Sequence, residues 1–259
     1  MASLRRLIAV LLVASRRQTM KVDSDLYPDL AAAGGLAAAL EQLAAELGTD
    51  LTVVPGDRGP LVSAGIASSV PEREPLSVHI GAGSRWFGVS GWSHGVELIT
   101  GATPDLADVV RAGAAWGQGR SLRELRAELP FLRSSERAEA HERGPAAVVE
   151  FQWRTMREQA AEEPGFTGFG ELVEAAHAEP RLRQLYVFSS HWTLGFCSCT
   201  GYPFRIEVAI VPSHNGSPFR LKEYPLSDDV LGEAATAEEA VALAVCHLPT
   251  DLGPAGHGR

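Results

Sequence analysis

Residues 185–201, LYVFSSHWTLGFCSCTG, form the densest run of aromatic, histidine and cysteine residues in the chain. Imidazole and thiolate are common zinc ligands, so His191, Cys197 and Cys199 are the first candidates for a metal site. On one straight strand His191 and Cys197 would lie about 20 Å apart, too far to share an ion. A site at Cys197 and Cys199 therefore needs ligands from elsewhere, such as the cysteine and histidine at positions 246–247. Burial of both cysteines as small apolar side chains is the favoured interpretation.

Residues 91–95, GWSHG, fit the G-x-S-x-G pattern of a nucleophile elbow, with Ser93 as the nucleophile. An elbow stands between a strand and a helix, whereas residues 96–100 have the pattern of another strand, so a hairpin turn at Ser93 is favoured. A structural hydrogen-bonding role is favoured for His191 over that of a catalytic base, because no nucleophile or orienting carboxylate is identifiable beside it. Ser93 and His191 are nevertheless the two catalytic candidates.

The other motifs are incomplete. His141 and Glu142 lack the second histidine of a metalloprotease helix, and Gly81 and Gly83 lack the third glycine of a dinucleotide-binding loop. We interpret these four as surface and turn residues, and we expect His257 to lie in a frayed terminus. No cofactor is predicted.

The composition is that of a globular protein. The 259 residues are 45% hydrophobic and 21% charged, which suffices for one large core or two smaller ones. The net charge of -9 disfavours nucleic acids and anionic membranes as partners, because both are bound through clustered lysine and arginine. Three cysteines, an odd number in a chain of this length, indicate a reducing compartment. We therefore expect a soluble, cytoplasmic protein without stable membrane insertion.

The N-terminus is the one feature that argues for export. Residues 1–15, MASLRRLIAVLLVAS, combine a basic start with a short apolar run, as a signal peptide does. The run covers only residues 7–14 and is followed at once by two arginines, so it is too short to span a bilayer. Met20 offers an alternative start. We favour a misassigned start or an extension over residues 1–20, with export as the alternative.

Residues 21–130 are predicted to form a first α+β unit. Leucines at helical spacing predict one helix over residues 29–47. Five short apolar runs follow, and their connections are too short for crossover helices, which predicts an antiparallel meander. Thr103 is the predicted N-cap of the next helix, and Ser121 with Glu124 forms a capping box for the helix after it.

Residues 181–259 are predicted to form a second α+β unit. Its first strand runs through residues 185–201, with the aromatic side chains of Trp192 and Phe196 on the core face. A hairpin turn at Asn215 and a capping box at Thr236 complete a second meander and helix.

Between the two units, residues 131–180 are charged and show helical periodicity. We interpret them as a helical connector, although they could also belong to the second unit. The predicted fold class is thus α+β, with two antiparallel β-meander-plus-helix units joined by a helical connector.

Several segments together resemble a known family. They are YPDLAAAGGLAAALEQLA from Tyr27, VSGWSHGVELITGATPDLADVVRAGAAW from Val89, EAHERGPAAVVEFQW from Glu139, AEPRLRQLYVFSSHWTLGFCSCTG from Ala178 and VLGEAATAEEAVALAVCHLP from Val230. Over most of residues 27–249 the chain resembles an uncharacterised bacterial family, domain of unknown function 6193, catalogued as a natural product biosynthesis protein. The resemblance implies a link to specialised-metabolite gene clusters and favours Met20 as the start. It implies no reaction and no catalytic residues.

These observations predict a non-catalytic accessory or binding protein associated with natural product biosynthesis, whose partner is another protein or a small molecule. The prediction depends on a well-capped, well-formed core and on the lack of any motif with a complete context. The alternative is an enzyme with a pocket between the two units, lined by His191, Trp192 and Ser93. The two hypotheses differ in whether Ser93 and His191 face one pocket.

Overall fold

The computed structural model describes residues 22–163 and 165–258. The predicted extension over residues 1–20, with its start at Met20, lies outside the described residues. The first half contains, in order, α1 (Pro28–Ala33), α2 (Leu36–Glu46), β1 (Val53–Pro55), β2 (Ser63–Ile66), β3 (Leu76–Ile80), β4 (Phe87–Ser93), β5 (Val96–Thr103), α3 (Leu106–Gly117), α4 (Leu122–Glu128) and β6 (Leu132–Arg133).

The second half begins with four helices and continues with a second sheet. Its elements are α5 (Glu136–Arg143), α6 (Pro145–Glu162), α7 (Thr167–Ala178), α8 (Pro180–Arg183), β7 (Tyr186–Ser190), β8 (Thr193–Cys197), β9 (Ile206–Val211), β10 (Phe219–Lys222), β11 (Val230–Ala234) and α9 (Ala237–His247).

Both sheets are antiparallel meanders. The strand order is β1-β2-β3-β4-β5-β6 in the first sheet and β11-β10-β9-β8-β7 in the second, so every strand pairs with its neighbours in sequence. This confirms the predicted α+β class. Across the described ranges, the model shows no helix that is long and apolar enough to cross a bilayer.

The predicted helix over residues 29–47 is wrong as a single element, because it breaks at Gly34 and Gly35. Their φ angles are 90° and 130°, which are outside the right-handed helical region. A β-carbon on Gly35 would lie 2.9 Å from the Leu61 Cα, so the chain can pass this point only as glycine. The break lets α1 and α2 pack on the first core at different angles.

The predicted cap of α3 is also wrong, because Asp105 occupies the N-cap position. Its carboxylate accepts a hydrogen bond from the Ala107 N–H at 2.8 Å. The Thr103 hydroxyl instead accepts from the Asp105 N–H at 3.2 Å and donates to Asp108 at 2.8 Å. Thr103 therefore supports the cap from a position two residues before the N-cap. The capping boxes predicted at Ser121 and Thr236 are both confirmed.

The predicted single strand over residues 185–201 is a hairpin. Strands β7 and β8 pair from Tyr186 with Cys197 to Ser190 with Thr193, which leaves His191 and Trp192 as a two-residue turn. Both turn residues have positive φ, 49° and 65°, as a type I′ turn requires. Neither residue is a usual turn former, so the sequence pattern did not indicate the reversal.

The buried residues form two hydrophobic clusters, one under each sheet. Trp116 and Phe87 are fully buried in the first cluster, and Trp153 and Phe196 lie in the second with ring centroids 6.2 Å apart. Helices α6 and α7 contribute to the second cluster, which favours the open alternative that they belong to the second unit. Helix α5 contributes Ala138 to the first cluster and Ala140 to the second, so it bridges the two cores.

Candidate functional site

Ser93 lies at the end of β4, beside the two-residue turn of the β4–β5 hairpin. The turn consists of His94 and Gly95, with φ angles of 48° and 75°, and Ser93 pairs with Val96 across it. The Ser93 hydroxyl donates to the Glu72 carbonyl at 2.6 Å. Strand follows strand here, as the sequence predicts, so Ser93 is not in an elbow. Its hydroxyl proton is engaged by backbone and not by a base.

A cleft of about 210 Å³ lies beside this turn, between the two units. We call it the inter-unit cleft. Loop and hairpin residues of the first unit form one side, helix α5 forms another, and the C-terminal segment closes it. Its polar lining includes Arg73, Ser93, His94, His141, Glu142 and His257.

The second unit holds the hairpin tip firmly. The Tyr202 N–H donates to the His94 carbonyl at 3.1 Å, and a β-carbon on Gly201 would lie 2.9 Å from the His94 Cβ. The His257 ring stacks on the His94 ring with centroids 5.2 Å apart. Gly256 next to it donates to the Ser198 carbonyl at 3.0 Å. The expectation of a frayed terminus at His257 is therefore wrong.

Arg73 is the most buried charged side chain of the cleft, with 7% of its side chain exposed. Its Nη2 donates to Glu142 at 3.0 Å, and its guanidinium lies 4.5 Å from the centroid of the Trp116 ring. Burial lowers the pKa of Arg73 and the carboxylate of Glu142 opposes that shift. Because arginine stays charged in proteins, Arg73 keeps a fixed positive charge, which Glu142 balances at one of its nitrogens.

Three buried nitrogens of the cleft have no hydrogen-bond partner. They are Nη1 of Arg73, Nε2 of His94 and Nε2 of His141. An unsatisfied buried polar group costs about 1–3 kcal/mol, so such groups are rarely left without a partner. All three residues line the same cleft. Nη1 of Arg73 can only donate, and Nε2 of each histidine donates in one of its two tautomers, so the cleft can accept a molecule that offers hydrogen-bond acceptors.

His141 is uncharged at neutral pH. Burial first, and then Arg137 and two neighbouring histidines, lower the pKa of His141 to about 4. The two histidines are His257 and His94. The sequence-based interpretation of His141 as a surface residue is thus wrong, because helix α5 turns its ring into the cleft.

His191 lies at the tip of the other hairpin, away from this cleft. Its ring is exposed, and Nδ1 lies 3.3 Å from the Ser190 hydroxyl. Trp192 beside it packs edge-on against Phe166 and Phe169, each at a centroid distance of 5.3 Å. His191 is not part of the cleft that Ser93 lines, so the structure does not bring the two catalytic candidates together.

Both cysteines of the opening stretch are buried. Burial, and then Cys199 and Glu207, raise the pKa of the Cys197 thiol to about 12. The Cys199 sulfur accepts from the Arg205 N–H at 3.0 Å. In residues 22–163 and 165–258, no group of three or more histidine, cysteine, aspartate or glutamate side chains could hold a metal ion.

A larger groove of about 800 Å³ runs along helix α6. We call it the α6 groove. Its lining is mostly apolar: Ala146, Val149, Trp153 and Ala161 face it from α6, and Pro254 and Ala255 form the opposite wall. Their separations of three, four and eight residues place the α6 side chains on one face of the helix. The Trp153 indole N–H donates to the Leu185 carbonyl at 3.2 Å, which fixes the floor.

Charged side chains at the edge of the α6 groove balance one another. Arg157 and Glu174 form a two-bonded pair at 2.7 and 2.9 Å, which raises the pKa of Arg157. Burial, followed by Arg157, lowers the pKa of His177, whose ring lies 5.3 Å from the Trp153 ring. The lining as a whole contains three arginines and three glutamates: Arg154, Arg157, Arg183, Glu150, Glu158 and Glu174.

Sequence reasoning missed most of these residues. The inter-unit cleft draws on four segments that are far apart in the chain, and no spacing rule connects Arg73 with His257. His94 stood inside the pattern at residues 91–95 but was a variable position of that pattern. For the α6 groove, the sequence indicated only the helical periodicity of residues 131–180.

Comparison with known proteins gives one match, which covers the second half of the chain. Residues 147–259 match the model of a family described as "Family of unknown function (DUF6193)". No curated protein and no solved structure matches the chain. The matched range contains most of the α6 groove and all of the second sheet.

Proposed function

We propose that the protein binds a neutral, largely apolar small organic molecule in the α6 groove without transforming it. Residues 147–259 belong to this family of unknown function, and the description of the family gives no reaction. The observation that carries the proposal is the groove itself. Its volume of about 800 Å³ and mostly apolar lining fall in the range of small-molecule sites, which are typically about 300–1,000 Å³.

The charge of the lining supports a neutral ligand. Three arginines and three glutamates line the groove, and two of them, Arg157 and Glu174, already pair with each other. A strongly charged ligand would have to break such pairs to find a partner. An uncharged molecule gains from contact with the exposed Ala146 and Ala161 of the groove, because burial of apolar surface is favourable at about 25 cal/mol per Å².

A binding role is better supported than catalysis. The one serine at the centre of a nucleophile motif, Ser93, donates its hydroxyl proton to a backbone carbonyl. His191, the proposed base of the enzyme hypothesis, is exposed on another hairpin. In the α6 groove His177 faces Trp153, and the lining residues include no serine, threonine, cysteine or lysine. A nucleophile within reach of a base is the minimum for covalent catalysis.

We extend the proposal to an accessory role in the biosynthesis of a specialised metabolite. Its support is the resemblance of the segments that begin at Tyr27, Val89, Glu139, Ala178 and Val230, together with the size and apolar character of the groove. Native mass spectrometry of the protein purified from its host should then show an added organic mass that is lost under denaturing conditions.

The test of the binding site uses the neutral fluorophore N-phenylnaphthylamine, whose emission rises in apolar surroundings. Ala146 and Ala161 line the groove and are exposed, so Ala146→Arg and Ala161→Arg place a charge there without disturbing the core. We expect saturable binding to the native chain and about tenfold weaker binding to each variant, because an unpaired charge near an apolar ligand is costly.

The matched control is Ala45→Arg, an exposed alanine on α2 that does not line the groove. It should bind the fluorophore as the native chain does. Equal affinity in the native chain and in both groove variants would contradict the proposal, as would the absence of saturable binding to the native chain.

A further inference from the structure

We propose that the inter-unit cleft is a second binding site, which holds a small oxyanion, the chemistry shared by a phosphate group and a carboxylate. The inference is independent of the α6 groove, because the two sites share none of their lining residues. It starts from the three buried nitrogens without partners, on Arg73, His94 and His141.

The three nitrogens come from separate elements that the fold brings to one place. Arg73 precedes β3, His94 is the first turn residue after β4, and His141 lies in α5. Two of them are held in place by neighbours: Arg73 by Glu142 and the Trp116 ring, and His94 by Tyr202 and His257. A site whose side chains are fixed before the ligand arrives loses little conformational freedom on binding.

The donors select an acceptor-rich and negatively charged ligand. Nη1 of Arg73 can only donate, and an arginine with a free nitrogen suits the oxygens of an oxyanion. Glu142, the carboxylate nearest to Arg73, is engaged by Nη2 of that arginine and by the Leu122 N–H at 2.9 Å. It therefore leaves Nη1 without a partner, and a cation would be repelled by the same guanidinium.

The volume of the cleft fits a small ligand. About 210 Å³ is available, and one water takes roughly 30 Å³ in the liquid, so the space exceeds that of one or two waters. It is well below the size of a drug-like organic pocket. The ligand is therefore a small ion or the anionic end of a larger molecule that reaches in from solvent.

Anion binding should be coupled to protonation of His141. This ring faces Arg137 on its own helix, His94 from the hairpin and His257 from the C-terminal segment. The cleft also contains two arginines and two glutamates, namely Arg73, Arg143, Glu72 and Glu142. An anion bound against His141 favours its charged form and raises its pKa, so affinity should increase as the pH falls from about 7 towards 5.5.

The experiment titrates the full chain with inorganic phosphate, with acetate and with chloride at constant ionic strength, and follows the histidine ring signals by NMR. We expect saturable shifts for His94, His141 and His257 with phosphate or acetate, none with chloride, and no shift for His191. Tighter binding of phosphate would indicate a phosphate group, and tighter binding of acetate a carboxylate. Acetate stays ionised over the pH range used, so it serves for the pH series.

Two variants test the assignment. His94→Asn shortens the side chain, so that its amide no longer reaches the position of Nε2, at a turn position that asparagine tolerates. His141→Gln removes, from another element, a ring that a bound anion can hold in its charged form. Each should weaken binding about tenfold, the cost of one hydrogen bond to a charged group. His191→Asn, with the same change at nearly the same φ, is the matched control and should bind as the native chain does.

The proposal is overturned if neither phosphate nor acetate gives saturable shifts, which would leave the cleft a water-filled space. It is also overturned if His94→Asn and His141→Gln both keep the native affinity while remaining folded by circular dichroism. Loss of anion binding with unchanged N-phenylnaphthylamine binding would separate this site from the α6 groove.

Discussion

The tips of the β4–β5 and β7–β8 hairpins are built alike and surrounded differently. Each tip has a serine that closes the strand, followed by a histidine in the left-handed region, with φ of 48° at His94 and 49° at His191. His94 is stacked on His257 and its Nε2 is buried without a partner, whereas His191 is exposed next to Ser190. The local backbone is the same, and the neighbouring elements differ.

The comparison teaches that the turn alone does not make a site. The first tip is covered by Gly201, Tyr202 and His257 of the second unit, and Arg73 and His141 line the cleft beside it. The second tip meets the aromatic rings of Phe166 and Phe169 through Trp192, and its histidine stays in solvent. A buried donor has to be satisfied by something, while an exposed one is satisfied by water.

The largest change in stability is expected from a substitution at the contact between the first tip and the second unit. Gly201→Val would place a β-carbon 2.9 Å from the His94 Cβ and 3.1 Å from the His94 carbonyl oxygen. We expect the free energy of unfolding to fall by about 1–3 kcal/mol, the usual cost of overpacking, together with loss of the His94 and His257 ring contact. Urea unfolding and NMR of the ring signals measure these two effects.

Gly170→Ala is the control, because no atom lies within 4 Å of a β-carbon at that position in α7. It should leave stability unchanged or raise it, since alanine favours the helix. A Gly201→Val variant as stable as the native chain would show that the tip is not clamped in solution.

A smaller decrease in the free energy of unfolding is expected when the pH is lowered. The pKa of His141 is about 4 in the folded chain and near 6.5 when unfolded, so the unfolded chain binds more protons between these values. Stability should therefore fall as the pH drops from about 6.5 to 4, by on the order of 1–2 kcal/mol once partial exposure to solvent is allowed for.

His141→Gln should flatten this part of the pH profile, and His191→Gln should leave it unchanged. The measurement is the free energy of unfolding in urea at several pH values within the window. If both variants keep the native slope, the acid sensitivity comes from other groups, and the buried environment of His141 is not as described.

The smallest changes in stability are expected from the same substitution at the two tip histidines, and they compare the two tips directly. His191→Asn should change stability by less than about 0.5 kcal/mol, because the ring is exposed and asparagine accepts positive φ. His94→Asn should cost about 1 kcal/mol, because it removes the stacked contact with His257. Thermal unfolding of the two variants in parallel makes the comparison, and equal changes would contradict the difference between the tips.

The sequence predicted those parts of the fold that depend on local rules. Strands β1 to β5 and β9 to β11 and the capping boxes at Ser121 and Thr236 follow from alternation and from side-chain chemistry within four residues. It failed at the His191 turn, where two poor turn formers adopt positive φ because the strands on either side pair. The pairing of the two strands determines the backbone conformation of this turn, and the local sequence carries no pattern that predicts it.

The sites were less predictable than the fold. The sequence predicted a hairpin turn at Ser93. Its neighbours in the cleft are Arg73, His141 and His257, and only the packing of the two units brings these residues together. Burial of a charged or aromatic-ring nitrogen is a property of the assembled chain, so it has no signature in the spacing of residues.

The placement of the three cysteines gives the protein a built-in attachment point for a probe. Cys197 and Cys199 are buried, and the thiol of Cys197 with its pKa of about 12 is almost entirely protonated at neutral pH, whereas Cys246 is exposed on α9. A maleimide reacts with an accessible thiolate, so the native chain should be labelled at Cys246 alone. A dye there, on the outer helix of the second unit, needs only one engineered cysteine in the first unit for single-molecule distance measurements across the cleft.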